Sequence, residues 1–361
     1  MKTGKSLVEL AMELERQKGA KADYLLGTEA IDMSVNREGA VRLNLRDAGQ
    51  VAQSLAINEV AHGQIATTLG IPSRYYDRML AQEPDLLAIN TNTWLHSAEN
   101  STRMVRTLDG TARAYLSDKY RRIDNDQIAE AVLPMIAALP DARVESCEVT
   151  DRRLYLKVVN PRLQAEVSKG DVVQSGILIS NSEVGLGSVS VLPLIYRLVC
   201  TNGMIANDAG MKRRHVGRIN EAGEDFSIFR TETIVADERA FMLKLQDIVS
   251  SVVDQVRFDR VVSQMRIAKA TPITARSIPT LVELSTKPYG VLETERESVL
   301  DYLIRGGDLS LYGLANAVTR AAQDVESYDR STDLEGIGFA VMTGFTPSQW
   351  ESINERAVSV A

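Results

Sequence analysis

The chain has 361 residues, of which 44 % are apolar, 25 % charged and only 5 % aromatic. That is ordinary globular material with room for two or three domains, built on aliphatic packing. The net charge of −7 excludes a protein that grips nucleic acid by bulk charge, so any such contact needs a local patch. Two cysteines, Cys147 and Cys200, exclude a disulfide framework and point to a reducing cytoplasmic setting. No apolar run long enough for a membrane span occurs.

Residues 1–20 predict an amphipathic helix, with charges throughout and no signal-peptide pattern. Residues 21–57 read as irregular, with a short strand signal at Val41–Leu45. Asn58 is placed to cap a helix that Gly70 ends, and Ser73 to start a second helix running to about Gln82. This spacing fits a DNA-reading helix-turn-helix, but better a plain packing hairpin, the commoner use of that shape. Asn90 to Leu95 reads as a short strand. Thr102 to Ser117 is a hairpin around Asp109-Gly110, a pair favoured in type I′ turns, with Arg103, Arg106 and Arg113 on or near the ribbon. Asp124 and Gln127 form a capping box before a helix that Pro140 stops.

A second hairpin pairs residues 143–149 with 153–159. Its second arm puts Leu154, Leu156 and Val158 on one face, Tyr155 and Lys157 on the other. Residues 160–171 read as a polar connection. A strand through Ile177 and Ile179 then bends at Gly185 and Gly187, and Ser188–Val191 alternates like a half-buried strand. An apolar run from Leu194 to Cys200, broken only by Arg197, meets a turn signal at Asn202-Gly203. Beyond residue 223 the period lengthens. Phe241, Leu245, Ile248, Val249, Val252 and Val256 mark one long helix over about 236–268, suited to a coiled pairing or a subunit contact. Further helices are expected at Glu293–Arg305, Ser310–Ser327 and Thr346–Val358, with a loop at Tyr328–Gly338. Helices, then a strand-rich middle, then helices make this α+β: a central antiparallel strand-rich core with flanking helices and a helical C-terminal region. Three regions follow, 1–98 (helical, with the helix-turn-helix-like hairpin), 99–235 (strand-rich core) and 236–361 (helical).

Catalytic signatures are missing. The three histidines, His62, His96 and His215, have no metal-ligand spacing, and there is no P-loop, dinucleotide fingerprint or nucleophile elbow. Cys200 reads as a small buried thiol. No cofactor or metal is expected, and a non-enzymatic role is favoured over an enzyme such as a nuclease with unrecognised acids. The cationic features carry more. Between Arg197 and Asn220 stand Arg197, Lys212, Arg213, Arg214 and Arg218 against Asp208 alone, five cations less one acid, or +4. His215 joins that cluster, and Lys119, Arg121 and Arg122 flank Tyr120. Arginine beside an aromatic suits a phosphate-tracking groove in which Tyr120 or Tyr196 stacks on a base; the same residues also serve as solvated turns or internal ion pairs.

The segments ARAYLSDKYRRIDN, ISNSEVGLGSVSVLPLIYRLVCTNGM with RRHVGR, and GLANAVTRAAQDVESYDR resemble the phage/plasmid-like family known as domain of unknown function 932, over roughly residues 70 to 340. The resemblance implies a mobile-element origin and assigns no activity. In layout, a hairpin-rich core bearing arginines and followed by helices is similar to phage single-strand annealing proteins. The expectation is therefore a homo-oligomeric DNA-binding protein in the host cytoplasm, acting on single strands in recombination or replication. The alternative is a non-nucleic-acid interaction or host-takeover protein working through its long C-terminal helices.

Overall fold

A computed structural model describes residues 1–97, 101–187, 189–206, 211–213, 231–250 and 254–358. It is α+β, with two six-stranded sheets and a helical C-terminal layer. The first sheet joins two distant parts of the chain. Strands β1 (Lys21–Gly27), β2 (Ile31–Val35), β3 (Val41–Asp47) and β4 (Gln50–Ile57) combine with the hairpin β5 (Thr102–Leu108) and β6 (Thr111–Ser117) in the order β1-β5-β6-β4-β3-β2. Residues 21–57, expected to be irregular apart from the strand signal at Val41–Leu45 that becomes β3, are thus four strands. Their side-chain alternation is broken (KADYLLG, IDMSV), and the pairing of β1 with β5 spans eighty residues of chain that no local pattern encodes. The hairpin turn holds Asp109 and Gly110 at φ 50° and 74°, which a type I′ turn requires of both central residues.

Helices α2 (Glu59–Thr68), α3 (Ser73–Gln82) and α4 (Pro84–Ser97) cover this sheet. The Asn58 side-chain oxygen accepts from the Ala61 amide at 2.9 Å, and Gly70 ends α2 as expected. On α3, Tyr76 and Met79 pack inward, while Arg74, Tyr75 and Arg78 face solvent. The stretch Asn90–Leu95, expected as a strand, lies within α4. Asn92 donates to the Met33 carbonyl at 2.8 Å and accepts from its amide at 2.7 Å, occupying the free edge of β2 as a partner strand would.

The second sheet is antiparallel, ordered β11-β10-β9-β8-β7. It comprises β7 (Arg143–Val149), β8 (Leu154–Ser168), β9 (Asp171–Asn181), β10 (Val189–Arg197) and β11 (Asn202–Ile205), with β12 (Met211–Arg213) on the β11 side of β10. The expected connection over 160–171 is mostly strand. The sequence hides this because Pro161 falls at the register shift between Asn160 and Gln164, where no ladder donor is needed. Asn202-Gly203, expected as a turn, begins β11; the reversal comes just before, with Thr201 at φ 50°.

Both faces of this sheet are covered. Leu154, Leu156, Val158, Ile177, Ile179, Val189 and Val191 pack under α1 (Leu7–Ala20), α5 (Asn125–Ala138) and α6 (Thr231–Ser250). The opposite face meets α11 (Tyr328–Thr343), and the far end of the sheet packs on α7 (Gln255–Lys269) and the helices after it. The single helix expected over 236–268 is two, with Asp254 capping α7 through the Val256 and Arg257 amides. Phe241, Leu245 and Val249 of α6 join one core, whereas Phe258, Val261, Val262 and Met265 of α7 join another. Of the apolar face expected along one helix, Phe241, Leu245 and Val249 are spent inside the fold, whereas Val256 is exposed.

Helices α8 (Ile278–Thr286), α9 (Glu293–Gly306), α10 (Leu311–Ala321) and α12 (Pro347–Arg356) complete the layer. Helix α8 had no sequence expectation, and α10 stops short of Ser327. The segment Tyr328–Gly338, expected as a loop, is the first two-thirds of α11. Its glycines permit close helix contact. A Cβ on Gly338 would stand 2.3 Å from the Thr319 side chain and 3.0 Å from the Ala315 carbonyl of α10. Among the described residues no helix is long and apolar enough to cross a membrane.

Candidate functional site

The residues expected to meet nucleic acid are divided by the fold. Tyr120 is buried, and its hydroxyl donates to the Ser182 carbonyl at 3.2 Å. Burial pushes its phenol pKa up. Tyr196 is likewise buried and donates to Glu145 at 2.8 Å; burial first, and then that carboxylate, push its pKa up to about 12. Arg197 forms a two-pronged pair with Asp171 at 2.6 and 3.0 Å and lies over the Tyr312 ring, whose hydroxyl also donates to Asp171. These three side chains tie strands and helices together and are turned away from any external strand. Lys119 is exposed, Arg121 partly buried, and Arg122 exposed with an ion pair to Asp23 at 2.8 Å. Lys212 and Arg213 sit on β12, opposite Ser190 and Val189. Arg214, His215 and Arg218 lie outside the described residues.

A charged seam joins the two sheets. Arg106 of β5, fully buried, bonds Asp23 at 2.8 Å, Asp124 at 2.7 Å and the Glu183 carbonyl at 2.8 Å. Arg113 of β6 pairs with the Glu183 carboxylate at 2.5 Å. Asp124, Asp126 and Glu183 bring oxygens within 4.8 Å of one another, a spacing a metal ion would accept. The Lys21 ammonium already stands among them, at 2.8, 2.7 and 3.6 Å. The donor set therefore fits a structural ion-pair network better than a metal centre. Asp124 still caps α5 in the expected box with Gln127. Glu183 accepts from the Asn125 amide at 2.6 Å, and Gln64 of α2 donates to the Val184 carbonyl at 2.7 Å. The loop between β9 and β10 is thereby held from both sheets.

That loop lies at the end of the second sheet to which β12 also runs. Leu154 of β8 pairs with Asn181 of β9, Ser180 of β9 with Ser190 of β10, and Val189 of β10 with Arg213 of β12. One transverse line thus runs through the start of β8, the end of β9, the start of β10 and the end of β12. Just beyond it are exposed Arg152 and half-buried Arg153 in the β7–β8 turn, and Gly185 to Gly187.

Beside this end, between the sheet and α11, opens a cleft of about 490 Å³. Its floor is Leu178, Leu192 and Ile205, with Ser180 and Ser190, whose hydroxyls lie 2.8 Å apart. Thr332 and Gly336 of α11 form the wall. At the mouth are Arg153, Arg330 and Asp333. Arg330 is committed to Glu295 at 2.6 and 2.7 Å, and partial burial holds the Asp333 carboxyl above its usual range. Arg153 donates to the Leu186 carbonyl at 2.5 Å. Tyr155 and Thr150 anchor α11 by donating to Asp329 at 2.7 and 3.2 Å. No sequence signal pointed to this group, since its members come from three strands, a turn and a helix more than a hundred residues away.

The architecture defines an α+β protein with a mixed polar and apolar cleft between its second sheet and α11. Residues 114–285 match the family model described as Domain of unknown function (DUF932). The match lies inside the span of the resemblance and runs from β6 to α8, including the whole second sheet. No curated protein and no solved structure matches the chain.

Proposed function

We propose that this chain is a non-enzymatic DNA-binding protein that holds a single strand against the cationic end of its second sheet, in recombination or replication of a mobile element, as an oligomer. One observation carries the reading. The sheet register brings β12, from which the cluster 212–218 continues, to the same end as Arg152 and Arg153. A local group of this kind supplies phosphate contacts to a chain whose total charge is negative. Tyr120, Tyr196 and Arg197 drop out of the contact set because their polar ends have internal partners. The strand meets Arg152, Lys212, Arg213 and Arg214, with Lys119 and Arg122 at a second patch.

The test is a gel shift on a single-stranded oligonucleotide across a salt series. Four phosphate contacts predict a roughly 50-fold loss of affinity between 50 and 200 mM salt, at about −0.7 per contact in the logarithmic slope. Reversing Arg213 and Arg214 to Glu should abolish the shift while leaving the melting temperature unchanged. Folded protein that gives no shift at low salt would refute the reading.

A further inference from the structure

The cleft beside α11 holds more hydrogen-bonding capacity than the protein uses. The Thr332 hydroxyl has no hydrogen-bond partner among the described residues, although Thr332 is only 6 % exposed and forms the cleft wall. A hydroxyl left so is costly unless something else occupies it. Ser180 and Ser190 spend one proton on each other, which leaves a second proton and further lone pairs directed to other partners. Arg153 places one N–H on Leu186 and also bonds the Tyr155 hydroxyl, with Asp333 near enough to feel its charge; it forms no ion pair among the described residues, so donors remain for an anion. Beside these groups the floor offers an apolar platform of Leu178, Leu192 and Ile205.

An anion fork, several hydroxyl partners and a flat apolar bed select among small-molecule classes. A fatty acid would waste the hydroxyls, and a sugar phosphate would waste the floor. A nucleotide uses all three, and about 490 Å³ lies within the range of pockets that bury ligands of that size. We infer that this cleft binds a single nucleoside monophosphate, with the phosphate on Arg153, the ribose hydroxyls on Ser180, Ser190 and Thr332, and the base over Leu178, Leu192 and Ile205. The site adjoins β12, whose Lys212 pairs with Ser190, but takes none of its contacts from the strand-binding residues.

Isothermal titration of the full chain with AMP, CMP, GMP and UMP tests this, with adenosine and inorganic phosphate as controls. At least one nucleotide should bind at one site per chain, and more tightly than either control. Arg153→Gln should weaken that binding about tenfold or more, the size of one charge-assisted hydrogen bond. Thr332→Val should weaken it by about threefold to tenfold. Should Arg153→Gln melt early, Gly187→Ala supplies the same perturbation from the other side, because its Cβ would stand 2.9 Å from the Arg153 guanidinium. Changing Arg213 and Arg214 to Glu should leave nucleotide binding intact whether or not it abolishes a gel shift, which separates the two sites. The inference is overturned if no nucleotide binds at millimolar concentration, if adenosine binds as well as AMP, or if both Arg153→Gln and Gly187→Ala leave the affinity unchanged.

Discussion

Lys157 and Glu335 show how much one pair of side chains can demand of a fold. Both are fully buried, 2.7 Å apart between β8 and α11, with the ammonium 4.7 Å from the centre of the Tyr328 ring. Two charges removed from water roughly offset each other, but one alone does not. Either Lys157→Met or Glu335→Leu by itself should therefore cost about 3–5 kcal/mol, while the double replacement should return to within about 1 kcal/mol of the parent. Urea unfolding of the three variants checks this, and additive losses would show that the two are not coupled. The alternation of β8 correctly set Lys157 and Tyr155 on the face opposite Leu154, Leu156 and Val158. It could not tell that this second face is also covered. The covering helix carries Ser331, Thr332, Asp333 and Gly336, a composition that reads locally as loop. The cleft stayed illegible for the same reason. Ser180, Ser190 and Thr332 become a group only when β9, β10 and α11 are assembled.

At the scale of elements, signals confined to a few residues were faithful. The cap at Asn58, the capping box at Asp124 and the turn at Asp109-Gly110 each formed as local chemistry dictates. Strand pairing and helix continuity, which depend on distant partners, were read less well. The α2–α3 hairpin carries a consequence of its own packing. His62 Nδ1 lies 2.8 Å from the Tyr76 hydroxyl, and burial lowers the imidazole pKa from 6.5 to about 4. Between those values the unfolded chain binds a proton that the folded chain refuses. The stabilisation is complete above the unfolded value and fades as pH falls towards the folded one. Going from about pH 7.5 to about pH 5 should cost on the order of 2 kcal/mol. His62→Phe should flatten that part of the pH profile in denaturant melts; a profile as steep as the parent's would show that another group is responsible.

Across the whole molecule, the α+β class followed from the order of helices, strands and helices. Division into two sheets did not, because β1 to β4 lie among helices in the chain and find β5 and β6 only after the intervening helices have folded back. What fastens the two sheets is the seam around Arg106. Despite the opposing pull of burial, their cationic neighbours hold the carboxyls of Asp23 and Asp124 below the ordinary aspartate value of 3.8. Such groups favour the folded state above the unfolded pKa and lose that contribution as pH drops through the folded one. Asp124→Asn, which keeps the size of the cap but not its charge, should destabilise by about 3 kcal/mol at neutral pH. The parent's stability should fall towards the variant's as pH drops below about 3.8 and Asp124 takes up a proton. Parallel pH-stability curves for the two proteins would mean that the seam is held by something other than ionised Asp124.

The anchoring of α11 bears on how anything enters the space beside it. This helix is fixed by Tyr155 and Thr150 at Asp329, by Lys157 beneath, and by the tight crossing of Gly338 on α10. Swinging it outward would strand two charges and open a void, so the aperture is a rigid frame and not a jaw. A guest that fits arrives at a seat already shaped, and spends none of its binding energy on ordering the protein.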